Sequence, residues 1–234
     1  MKFSKLICAA VFTSILAMTT SCREDYQIVN QDPANVTITD PAGLMTNAIL
    51  KFQPSDYLIW FYNINYFTRW SQMNTPGGSF TEAFTEQAEC GGQGSQYIAT
   101  LRIRNEIRNY IENTGDQTQL GYEAACTVLS VYLALFDSDI YGALPYTEAC
   151  QYKTQEILTP KYETVDQLYS IVLNELDAAI AIFQKDDIES NQAQDIVYGG
   201  DWSKWAKLAN SLKLKVAVRL YHQNKDQALA IASA

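Results

Sequence analysis

The sequence predicts a mainly α-helical protein, made of stacked antiparallel hairpins of the tetratricopeptide kind with long loops and little β structure. Three observations carry that prediction. Apolar residues recur every three or four positions over several long stretches, the spacing that places side chains on one helix face. Helix-starting residues stand directly ahead of two of these stretches. Clusters of Gly, Pro, Asn and Asp separate them, as expected for helices joined to antiparallel neighbours.

Taken in order, residues 1–21 read as an address rather than as structure. Lys2 and Lys5 form a short positive region, and Leu6 to Met18 form an apolar run. That run falls short of the roughly 20 residues needed to span a bilayer and matches the core of a signal peptide. Thr19, Thr20 and Ser21 then lead to Cys22, an arrangement that resembles a bacterial lipobox, although Thr19 stands where Leu is usual. On this reading Cys22 is the lipidated N-terminus of the mature chain, anchored by several acyl chains. An ordinary secretory peptide with an incidental Cys is the alternative. Arg23-Glu24-Asp25 resembles the acidic tag that sends some lipoproteins to the outer face of the outer membrane.

Residues 22–41 read as a tether, because Asn30, Asp32, Pro33, Asn35, Asp40 and Pro41 supply turn chemistry without periodicity. The helical domain then covers residues 42–234. Its first helical region spans about Leu44 to Trp70 and breaks near Pro54. A second runs from about Ser95 to Glu112, with Arg102 and Glu106 one turn apart for an external ion pair. A third, about Thr118 to Phe136, carries Leu120, Ala124, Val128, Val131 and Leu135 on one face. Thr164 and Gln167 make a capping box ahead of Leu168, Val172, Leu176, Ile180 and Phe183. Asp201 caps a last long helix with Trp202, Trp205, Ala209, Leu212 and Val216 in register. Loops are expected at 75–78, 91–94, 142–145 and 186–194.

Composition removes several functions. With 17 Lys+Arg against 26 Asp+Glu and a pI near 4.6, the chain lacks the basic stripe that phosphate backbones require. Its single histidine, His222, excludes HExxH zinc sites and multi-histidine mechanisms. With 47% hydrophobic and 18% charged residues, disorder throughout is excluded. Beyond Cys8 and Cys22, the cysteines are Cys90, Cys126 and Cys150, which allow at most one disulfide.

The segment Asp137-Ser138-Asp139-Ile140-Tyr141-Gly142-Ala143-Leu144-Pro145-Tyr146-Thr147-Glu148-Ala149, closing a helix, resembles the SusD/RagB nutrient-binding lipoproteins. So do Pro160-Lys161-Tyr162-Glu163-Thr164, the run Glu175 to Ile180, Tyr198-Gly199-Gly200-Asp201-Trp202 with Ala209 to Lys215, and Tyr26 to Pro33 after the cysteine. The order of these motifs holds along nearly the whole chain. The resemblance implies a helical binding protein without enzymatic activity or cofactor, anchored outside the outer membrane. It implies an oligosaccharide or peptide as ligand and a TonB-dependent SusC-type transporter as partner. Members of that family are considerably longer, so the chain is expected to correspond to an N-terminal portion, with the Trp202 to Leu220 helix leaving an apolar face uncovered.

The residues themselves offer ligand candidates. Trp70 and Phe80 flank a polar Gly- and Pro-containing loop, where Gln72 and Asn74 can exchange hydrogen bonds with sugar hydroxyls. Trp60, Phe61, Ile64 and Phe67, at helical spacing, read as core instead. Asp137, Asp139 and Glu148 nearly match a calcium-loop spacing, but Tyr141 occupies a position that needs an oxygen ligand, and the family motif accounts for the same residues. The glycine run at 91–94 lacks the ending of a phosphate loop and reads as a plain loop. Lys204, Lys207 and Lys215 read as a solvated face. No residue earns a catalytic role and no set earns a metal.

Overall fold

A computed structural model describes residues 40–52, 68, 71–73 and 96–233. Helix α1 (Pro41–Phe52) begins three residues before the expected Leu44. Asp40 is the reason: its carboxylate accepts the Ala42 and Gly43 N–H groups at 3.1 and 3.2 Å. Pro41 then sits where a helix loses nothing by lacking an N–H. Met45, Ala48 and Ile49 turn inward from α1.

Helix α2 (Gln96–Thr114) buries Tyr97, Leu101, Arg104, Ile107 and Ile111 along one stripe. Gly115 ends it with φ of 73°, its N–H bonded to the Ile111 carbonyl at 2.8 Å. Arg102 and Glu106 form no ion pair. The ion pairs of α2 reach other helices instead: buried Arg104 meets Glu175, and part-exposed Arg108 meets Glu123.

A 3₁₀ turn (Gln117–Gln119), capped by Asp116, leads into α3 (Leu120–Tyr141). This helix runs five residues past the expected Phe136. It is also buried on every side from Gly121 to Val131 rather than along one face. A helix apolar all round must be enclosed, and α3 packs against α1, α2 and the later helices Val165–Phe183 and Trp202–Leu220. By length and composition it is apolar enough to cross a membrane, but here it is the core helix. Gly121 is required by close approach: a Cβ there stands 2.8 Å from the Trp202 ring. Gly121→Ala is therefore expected to cost about 1–3 kcal/mol, through overpacking, as read by urea unfolding.

After a turn and the short α4 (Tyr152–Gln155), α5 (Val165–Phe183) opens with the expected capping box. The Thr164 N–H donates to Gln167 Oε1 at 2.9 Å and the Gln167 N–H to Thr164 Oγ1 at 3.3 Å. Helix α6 (Trp202–Leu220) starts from Asp201, which accepts the Ser203 N–H at 3.0 Å. Helix α7 (Lys225–Ser233) completes the described chain. Pairs α2/α3, α5/α6 and α6/α7 pack as successive hairpins. Among the described residues, the β pairing is an isolated antiparallel bridge between Leu144 and Glu163.

Helix α6 buries its main apolar stripe and leaves a second, smaller apolar face exposed. Trp202 stacks on Phe183 at 5.7 Å and meets the edge of Tyr122 at 5.5 Å, and Trp205, Ala209, Leu212 and Val216 are buried. The exposed apolar residues of α6 are Leu214 and Val218, on another side. Lys215 is likewise not solvated with Lys204 and Lys207. Its ammonium lies 4.6 Å from the centre of the Tyr132 ring, and burial lowers its pKa.

The loop before α6 is organised by one carboxylate. Buried Asp195 accepts the Val197 and Tyr198 N–H groups on Oδ1, and the Gly200 N–H and the Trp205 indole N–H, at 2.8 Å, on Oδ2. Gly199 and Gly200, at φ of 66° and 80°, let the backbone curl around it. Trp205→Phe removes one donor while keeping an aromatic ring, so a loss of about 1–2 kcal/mol is expected on urea unfolding.

Candidate functional site

The segment from Asp137 to Cys150 is where the described helices are tied together. Gly142 stops α3 with φ of 80°. Leu144 then exchanges backbone hydrogen bonds with Glu163, at 3.1 and 2.9 Å. The Glu163 carboxylate reaches back, accepting the Tyr146 N–H at 2.8 Å and the Thr147 hydroxyl. Tyr97 of α2 donates its hydroxyl to the Pro145 carbonyl at 2.7 Å, and Asn105 donates to Ala149 at 3.3 Å.

Beneath this turn lies a buried polar group. The Tyr146 hydroxyl donates to Glu175 Oε2 at 2.6 Å, and Arg104 donates to both Glu175 oxygens at 3.0 and 3.1 Å. Burial alone lowers the Arg104 pKa, yet Tyr146 and Glu175 together hold it above its ordinary value. Burial raises that of the Tyr146 phenol, and Glu175 raises it further. Sequence reading passed over this group, although a signal existed: Arg104 stands in register with Leu101, Ile107 and Ile111 on a core stripe. An arginine there requires a buried partner.

The residues with calcium-loop spacing are dispersed. Asp137 faces inward and receives the Tyr97 backbone N–H, while its Oδ2 has no partner. Burial pushes its carboxyl up to about 7. Asp139 pairs with Arg219 of α6. Glu148 accepts the Lys161 N–H at 2.9 Å and faces its ammonium at 3.2 Å, which lowers its pKa. Among the described residues no set of His, Cys, Asp or Glu converges to hold a metal. Cys126 and Cys150 are free thiols, and burial raises both pKa values.

Of the expected ligand contacts, Gln72 lies in an exposed turn at φ of 59°, beside Met73, which is 81% exposed. The Met73 N–H closes that turn on the Thr68 carbonyl at 2.8 Å. Trp70, Asn74 and Phe80 lie outside the described residues, as do Cys22, Cys90, Trp60, Phe61, Ile64 and Phe67, the glycine run at 91–94, the signal segment and the tether up to Thr39; its last two expected residues, Asp40 and Pro41, instead cap and open α1.

Hairpins stacked about α3 and pinned by a β-bridged turn define a tetratricopeptide-like helical scaffold. Residues 33–234 match the family SusD-like_2, described as starch-binding associating with outer membrane. The chain belongs to the SusD/RagB family. Among solved structures it is similar to a chitin-binding protein, with 26% identity and a TM-score of 0.63 over 82% of this chain and 42% of that one. It is also similar to a SusD homologue from Bacteroides uniformis, with 26% identity and a TM-score of 0.50 over 58% and 27%. A SusD homologue from Parabacteroides distasonis shares the fold at 22% identity and a TM-score of 0.63, over 84% and 38%. The chain therefore spans less than half the length of these proteins. A comparison with curated proteins returns no match.

Proposed function

We propose that this chain is part of a surface lipoprotein that binds nutrient oligosaccharides and delivers them to a TonB-dependent transporter of the SusC type, without enzymatic activity of its own. The observation that carries the reading is the family match across residues 33–234, a family described by starch binding and outer-membrane association. Likeness to a chitin-binding protein at 26% identity supports a glycan over a peptide. The segment containing Trp70, Gln72, Asn74 and Phe80 supplies aromatic faces and amides of the kind sugar rings select. Cys22 carries the lipid anchor, and the residues from there to the start of α1 are the tether that keeps the binding body concentrated beside its transporter.

Isothermal titration of the chain with maltoheptaose and with chitohexaose tests the reading. Saturable binding of at least one is expected, with weaker binding in Trp70→Ala. Absence of heat with either sugar, alongside release of new reducing ends, overturns it in favour of a hydrolase.

A further inference from the structure

Tyr162 raises a question of its own. It is a large aromatic residue, 68% exposed, yet both its neighbours are fixed. Lys161 is held to Glu148 through its backbone N–H and its ammonium. Glu163 is bridged to Leu144 and holds Tyr146 and Thr147. In extended chain, successive side chains point to opposite sides. Burial of Glu163 thus turns Tyr162 outward and keeps its backbone still.

Tyr162 borders a cleft of about 560 Å³, open to solvent, that lies between the motif turn and the first turns of α5. Ile171 gives it an apolar wall, and Lys161, Asp166, Gln167 and Ser170 give it a polar one. Lys161 is held by Glu148 and the Ser170 hydroxyl donates to the Asp166 carbonyl, but Gln167 and Asp166 keep hydrogen-bonding capacity that the fold does not use. Gln167 spends its amide oxygen on the capping box, which leaves its NH₂ donors available. Among the described residues the Asp166 carboxylate has no hydrogen-bond partner. Cationic and anionic groups both line the cleft, so neither an anionic nor a cationic ligand is singled out by charge.

We propose that this cleft is a second carbohydrate subsite, with Tyr162 as the stacking platform and Gln167 and Asp166 as hydrogen-bond partners of sugar hydroxyls. A hexose ring presents an apolar C–H face and a rim of groups that both donate and accept. Tyr162 meets the first at low entropy cost because its backbone is already fixed. Gln167 donates to the rim and Asp166 accepts from it. The cleft is open rather than enclosed, which suits one stretch of a longer chain better than a small molecule engulfed whole.

The inference rests on the glycan-binding reading, and the test separates the two. Titrations with maltoheptaose and chitohexaose are made on the unaltered chain and on Tyr162→Ala, Tyr162→Phe and Gln167→Ala. Because Tyr162 is exposed and Gln167→Ala removes only one bond of the exposed cap, circular dichroism is expected to show all four folded alike. Tyr162→Ala is expected to weaken binding about 3- to 10-fold, as loss of one aromatic contact implies. Tyr162→Phe retains it, since the platform needs the ring alone. Maltoheptaose or chitohexaose is also expected to shift the Tyr162 resonance in spectra of tyrosine-labelled protein. If the unaltered chain binds while Tyr162→Ala and Gln167→Ala match it within two-fold and the resonance stays put, the subsite is overturned and the glycan reading stands. If the unaltered chain binds neither sugar, both are overturned.

Discussion

Arg104→Met is expected to destabilise the protein by about 2–4 kcal/mol, the largest loss among the substitutions considered. Arg104 is 2% exposed and gives one nitrogen to both Glu175 oxygens and to the Tyr146 hydroxyl. Removing it leaves the Glu175 carboxylate, 25% exposed and still held by the Tyr146 hydroxyl, without its cation, and losing one member of a largely buried pair is the costly way to break it. Replacing both members is different, because the desolvation of two ions is then removed as well. Arg104→Met/Glu175→Met is thus expected to recover at least half of the loss. Urea unfolding followed by circular dichroism measures both. A single variant within 1 kcal/mol of the unaltered chain means the pair is effectively solvated.

The second large effect is one of pH. Asp137 is 1% exposed, has a carboxyl pushed up to about 7 by burial, and leaves one oxygen unpartnered. Between about pH 4 and 7 the folded chain holds a proton that the unfolded chain has released. Stability therefore falls as pH rises through that window, by up to about 4 kcal/mol, and levels off above it. Asp137→Asn keeps the neutral shape and removes the titration. The variant should match the parent near pH 4 and exceed its stability at pH 8. The decisive quantity is the difference between the two stability curves. If it is flat with pH, Asp137 is ionised in the folded protein across the whole range.

Features written in a few adjacent residues were legible in the sequence. The capping box at Thr164 and Gln167 needs only its own four positions, and Asp201 caps α6 on the same local terms. Helix α3 was harder. Its apolar residues surround the axis, so periodicity marks a helix without revealing that it is enclosed or that it runs to Tyr141. The polar group of Arg104, Glu175 and Tyr146 joins positions 71 residues apart, and no local spacing encodes that. Spacing alone also gave Asp137, Asp139 and Glu148 the look of a cation loop. Direction separates them, since one turns into the core, one toward α6 and one toward Lys161. The expected ligand residues, Gln72 apart, lie outside the described segments, so the match between sequence and candidate site rests on the family.

The contact between Thr46 and Gln194 carries a consequence for how the chain is made. The Thr46 hydroxyl donates to the Gln194 carbonyl at 2.7 Å across a separation of 148 residues. A ribosome adds roughly 5–20 residues per second, so about 7–30 seconds separate the synthesis of these two partners. Through that interval α1 has no loop to close upon, and only after α5 is complete does Gln194 arrive. The first described helix can thus pack on α2 and α3 early, yet gains this bond only once the loop before α6 exists.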